Sequence, residues 1–85
     1  MKTIDFQTQG VCSRCIHLTM NDDQTVASVS FDGGCHGNLQ GIASLVKGMK
    51  AEEVIARLEG IRCGNKQTSC PDQLCKAIRE ACLIG

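Results

Sequence analysis

Apolar and polar positions alternate along three stretches near the start of the chain, then give way to helical spacing. Residues 2–8 put Ile4 and Phe6 on one side of an extended segment. Residues 14–20 put Ile16, Leu18 and Met20 on one face and Cys15, His17 and Thr19 on the other, and residues 25–31 turn Ala27, Val29 and Phe31 inward. A period of two is that of half-buried strands. Asn21, Asp22, Asp23 and Gln24 between the last two stretches have the composition of a turn. An antiparallel hairpin follows, with the first strand joining at an edge. Centred near Asp23, its paired residues have numbers summing to about 46 or 47. Gly34 or Cys35 then stands opposite Cys12, at the open end of the hairpin. A one-residue slip would reverse both faces, which the alternation resists.

Residues 33–38 are too rich in glycine for strand or helix. Asn38 is placed to cap a helix carrying Leu39, Ile42, Leu45, Val46 and Met49 on one face. Gly41 and Gly48 weaken that helix, so it depends on packing. A second helix over 51–59 buries Val54, Ile55 and Leu58, and Gly60 stops it. The last helix spans 70–83 with Leu74, Ala77, Ile78 and Ala81 inward. Ser69 with Asp72 three residues on reads as its N-cap, and Pro71 sits in the first turn, where no N–H is needed. The expected fold is α+β: one domain over 1–85, a small three-stranded antiparallel sheet with about three helices on one face.

Composition narrows the function classes. A chain of 85 residues buries only about 60% of its unfolded surface, so a metal, a partner or a disulfide often supplements the core. Net charge is zero, and Phe6 and Phe31 are the only aromatics, which argues against nucleic-acid binding. No apolar run reaches the length of a membrane span. Seven cysteines are far above ordinary usage. Their odd number, the regular helical patterns and a first segment unlike a signal peptide predict a reducing cytoplasm with reduced or metal-bound thiols.

The cysteines fall into groups. Cys12, Cys35, Cys63 and Cys70 lie in loops or at element ends. Cys63 is flanked by Arg62 with Lys66 nearby, and Cys70 opens a helix, where the dipole favours a thiolate. Four such thiolates suit tetrahedral zinc or an iron–sulfur cluster. The plainer alternatives are four small buried side chains or two disulfides. Cys75 and Cys82 lie with Ile78 on one helical stripe and read as core. Cys15 completes a CxxC with Cys12, but a redox CxxC opens a helix, whereas this one enters a strand. Cys15 and His36 are candidate additional ligands; His17, on the outer strand face, is a weaker one. Asp72 is a capping carboxylate which, with Asn38 and Gln73, stands ready to support the ligands. Gly33, Gly34, Gly37 and Asn38 form a run whose N–H groups could cradle an anion, although a tight turn explains them as well.

Thr68-Ser69-Cys70-Pro71-Asp72, preceded by Cys63-Gly64 and by Gly33-Gly34-Cys35-x-Gly37-Asn38-Leu39, resembles the TSCPD domain family. Such domains occur alone and at the C-terminus of adenosylcobalamin-dependent ribonucleotide reductases. The resemblance carries over Cys12, Cys35, Asn38, Cys63, Cys70, Pro71 and Asp72, and implies a link to ribonucleotide reduction rather than a complete reductase. A fainter similarity is to U-type iron–sulfur cluster scaffolds, with Cys12, Cys35, Cys70 and Leu74 in matching order. Those scaffolds have aspartate where this chain has Arg14, and histidine where it has Ser69. On that comparison Cys63 is a replacement ligand giving a closed, more permanent site.

Together these readings predict a non-enzymatic, cytoplasmic accessory domain holding zinc or an iron–sulfur cluster, with a protein partner such as a ribonucleotide reductase. Two competing readings are a nucleotide-binding module using the 33–38 loop and a thiol redox protein using Cys12 and Cys15.

Overall fold

A computed structural model describes residues 1–11, 13–34 and 36–82. Three strands, β1 (Lys2–Gln7), β2 (Ser13–Met20) and β3 (Val26–Gly33), form one antiparallel sheet in the order β1-β2-β3. Helices α1 (His36–Val46), α2 (Ala51–Leu58) and α3 (Cys70–Cys82) follow. α3 packs across β2 and β1, α1 packs along β3, and α2 rests on α3. Ile16, Leu18, Met20, Val26 and Val29 on the sheet meet Val46, Val54, Leu74, Ala77 and Ile78 on the helices. This is the expected α+β fold.

The register is the expected one, with two bulges. Ile16 faces Phe31 and Leu18 faces Val29, and the pairing shifts between Thr19 and Met20, where Thr19 opposes Ser28 but Met20 opposes Val26. Ala27 is the extra residue. It therefore lies half-buried, while Val26 takes the inward place that strict alternation gives to Ala27. The second shift lies between Ser13, paired with Gly33, and Cys15, paired with Asp32, and makes Arg14 the extra residue. Without that bulge Ser13 would share the outer face with Cys15. With it, Ser13 turns into the interior, 3% exposed, and Arg14 points to solvent.

The first helix departs from expectation at both ends. Gly33 and Gly34 both adopt positive φ, +79° and +80°, and reverse the chain directly into helix by His36. Gly37 and Asn38 are consequently helical rather than loop and cap. The helix stops at Val46, because the hairpin captures the chain beyond it. Gly48 donates to the Val26 carbonyl at 2.8 Å, and the Val26 N–H donates to Met49 at 2.9 Å. Met49 therefore lies outside α1, and Leu45, expected inward, is 78% exposed. α2 and α3 begin as expected, and α2 ends one residue early, before Gly60 at φ +90°. The expected pairing of Cys12 and the end of the last helix at Leu83 fall outside the described residues.

Candidate metal centre

Thr68-Ser69-Cys70-Pro71-Asp72 makes the turn into α3, and four of its residues have identifiable work to do. Ser69 is the N-cap: its Oγ accepts from the Asp72 N–H at 3.2 Å, and its carbonyl accepts from the Gln73 N–H at 2.8 Å. Pro71 occupies the second helical position, where the absent N–H would have had no intrahelical acceptor. The Asp72 carboxylate reaches back to the preceding loop, accepting from the Gly60 N–H at 2.8 Å and the Thr68 hydroxyl at 2.5 Å. Thr68 in turn accepts from the Gln73 amide at 3.0 Å, whose oxygen accepts from the Gln9 N–H at 3.2 Å. One network thus ties the β1–β2 connection, the 60–69 loop and the first turn of α3. Burial pushes the Asp72 carboxyl up, but the Thr68 hydroxyl and Gly60 N–H outweigh it and hold its pKa below the ordinary value.

Cys70 is the first residue of α3, and its Sγ lies 3.2 Å from the Ser13 Oγ in the interior. The bulge at Arg14 turns Ser13 toward it. α3 therefore begins against the end of the hairpin where Ser13 pairs with Gly33. Cys63 lies in the 60–69 loop, exposed, with its N–H donating to the Thr68 carbonyl at 3.1 Å. Cys12 and Cys35 lie outside the described residues. His36 is exposed at the start of α1, and Gly34, Gly37 and Asn38 are exposed around the β3–α1 junction. Cys75 is fully buried in the core and its thiol is pushed up to about 12, chiefly by burial; Cys82 is half-buried and also raised by burial. Both are core residues, as their spacing predicts.

The outer face of the sheet holds a second constellation. Asp5 pairs with His17 across β1 and β2, and Cys15 pairs with Asp32 across β2 and β3. His17 Nδ1 lies 2.7 Å from Asp5 Oδ1, and its Nε2 lies 2.7 Å from Asp32 Oδ2. These two hydrogen bonds raise the His17 pKa above its ordinary value. Ligand-type atoms of Cys15, His17 and Asp32 all fall within 4.8 Å of one another. Cys15, though on this outer face, is 9% exposed, and burial followed by the charges of Asp5 and Asp32 raises its pKa. From alternation alone His17 is a weak candidate, and neither Asp5 nor Asp32 is brought to it. The hairpin register holds the signal, since Asp32 falls opposite Cys15 at a sum of 47.

A family model described as the TSCPD domain matches residues 1–82. The chain belongs to the TSCPD domain family. Among curated proteins and among solved structures, none matches it. The match runs through β1 to α3 and so includes both the capped turn into α3 and the outer-face constellation. In this TSCPD domain the motif's threonine, serine and aspartate hold the entrance of α3 in place around Cys70. No helix among the described residues is long and apolar enough to cross a membrane.

Proposed function

We propose that this TSCPD domain is a metal-binding accessory module whose ligands are Cys12, Cys35, Cys63 and Cys70. The observation that supports it is the 3.2 Å approach of the Cys70 thiol to Ser13. Ser13 follows Cys12 in the sequence, and its strand partner Gly33 precedes Cys35 by two residues. The start of α3 thus meets the sheet end formed by Ser13 and Gly33, the strand residues nearest Cys12 and Cys35 in the sequence, which supports a shared site. Asp72 and Thr68 anchor the loop that carries Cys63, as residues behind a metal's own ligands commonly do. A four-thiolate donor set takes zinc as a closed structural site or an iron–sulfur cluster, and either adds directly to folding free energy. The accessory role, with a reductase as partner, extends the family resemblance.

The competing readings have less support. The groove between β3 and α1, which Gly33 and His36 help to line, offers phosphates one lysine, Lys47. Of the two proposed redox thiols, Cys15 has its pKa raised by burial and by the charges of Asp5 and Asp32, which works against a reactive thiolate.

The test is metal content with an absorption spectrum, on protein purified anaerobically without chelator. About one tightly held zinc per chain, or iron and sulfide with visible charge-transfer bands, is expected. Cys63→Ser, at an exposed loop position, lowers that content without removing core packing. Alkylation of Cys63 is rapid in chelated protein and slow in the loaded form. A colourless, metal-free, fully folded protein overturns the reading.

A further inference from the structure

We propose that Cys15, His17 and Asp32 form a second metal site on the outer face of the sheet, for zinc-class divalent ions, with Asp5 as a positioning residue.

The argument starts from His17. Both of its ring nitrogens lie 2.7 Å from a carboxylate oxygen. A neutral imidazole has one N–H and one lone pair, and a lone pair facing a carboxylate at that distance is repelled. At 2.7 Å each nitrogen meets its carboxylate through a proton, and a metal ion can take that proton's place once the pair opens. On the Asp5 side a proton suffices: an Nδ1–H donating to Asp5 fixes the tautomer and directs Nε2 toward Asp32. A carboxylate behind a histidine is the usual arrangement at metal-bound imidazoles. On the Asp32 side a third donor converges, since the Cys15 sulfur lies within 4.8 Å of both His17 and Asp32 ligand atoms.

The backbone suits the task. Cys15 and Asp32 are direct cross-strand partners, and His17 is two residues along β2 on the same face. Nitrogen, oxygen and sulfur ligands of tetrahedral zinc lie about 3.3–3.6 Å apart. Ion entry therefore parts His17 Nε2 from Asp32 Oδ2, now 2.7 Å apart, and brings the Cys15 sulfur to the same spacing by side-chain rotation on rigid strands. Sulfur, imidazole and carboxylate together suit zinc and cobalt, whereas magnesium and calcium prefer oxygen alone. Three protein ligands leave a fourth position for water, so this ion exchanges more readily than one in a closed four-thiolate site. Binding releases the Cys15 thiol proton and the Nε2 proton of His17, so two protons leave as one divalent ion enters and charge is conserved. A Cys–His nucleophile reading fits less well, because the two carboxylates that would orient the histidine oppose a Cys15 thiolate.

Cobalt titration of metal-free protein, read by ligand-field and thiolate charge-transfer absorption, tests the site. The expected result is one ion bound through a single thiolate at micromolar concentration, lost in His17→Gln and in Asp32→Asn and retained in Cys63→Ser. Asp5→Asn weakens that ion by about 10–100-fold without abolishing it. Addition of zinc shifts the His17 ring resonances and leaves Nδ1 protonated. If His17→Gln binds as many ions as wild type, or cobalt saturates only at millimolar concentration, or zinc leaves the His17 ring unmoved, the proposal is overturned. Loss of binding in Cys63→Ser alone tests the four-cysteine reading separately.

Discussion

Asp72 stands three residues after Ser69, a spacing that marks it as part of a cap, yet only its backbone N–H serves the cap. Its carboxylate holds the loop instead, through Gly60 and Thr68. The spacing made the cap legible; the destination of the side chain depends on a loop twelve residues upstream, which no local pattern specifies. Ser69→Ala should cost about 0.5–2 kcal/mol of stability, measured by urea denaturation. Asp72→Asn should cost about 1.5–3 kcal/mol, since both hydrogen bonds end on a charge. The pH dependence of Asp72 has a definite sign. Its folded pKa is lowered, so its contribution is complete above the ordinary value near 3.8 and is lost as pH falls through the folded value. Asp72→Asn therefore flattens the acid limb of the stability curve. His17 has the opposite sign. Its raised pKa makes the contribution of its two carboxylate contacts complete below about 6.5 in metal-free protein and lost as pH rises through the folded value. A proton-NMR titration of the imidazole should place its midpoint above 6.5, and His17→Gln should remove that basic-side loss.

At the scale of elements, the strands, the hairpin register and the two later helices are legible from periodicity and caps. Binary patterning fixes which face a residue joins, but a bulge moves that assignment by one position. The two bulges account for Val26 and Ser13, whose burial alternation does not predict. α1 is the element read least well. Its apolar positions continue to Met49, but the backbone of 48–49 pairs with Val26, and that competition is invisible to a helical pattern. The glycines of this region separate the two effects. Gly48 has φ +86° and no atom within 4 Å of an added Cβ, so Gly48→Ala is strained by backbone alone, costing about 1–2 kcal/mol. Gly41 is helical and equally unobstructed, so Gly41→Ala should stabilise by about 0.5–1 kcal/mol. Thermal melts of the two variants should move in opposite directions, by roughly 4–8 °C for each kcal/mol in a domain of this size.

Across the whole molecule, the two ends of the hairpin are fastened in different ways. At the turn, backbone meets backbone: Ala51 donates to the Gln24 carbonyl, Gly48 donates to Val26, Val26 donates to Met49, and Thr25 bridges to Lys50. At the other end, side chains join the loops, with Gln73, Thr68, Asp72 and Ser13 as the links. The bidentate contact between Glu59 and Arg79 adds a further tie between the end of α2 and α3. Hydrogen exchange should therefore be graded along the long axis of the sheet. Chelation is expected to speed exchange at the Cys63 and Gln73 amides and to leave Val26, Gly48 and Ala51 unchanged. The order of assembly follows from the turn end. Its backbone ladder needs no cysteine, so the hairpin and the 48–51 segment can pair without any ion. On the proposed four-cysteine reading, a metal would latch the opposite end, and its supply would set how many chains reach the finished fold rather than whether they begin to fold.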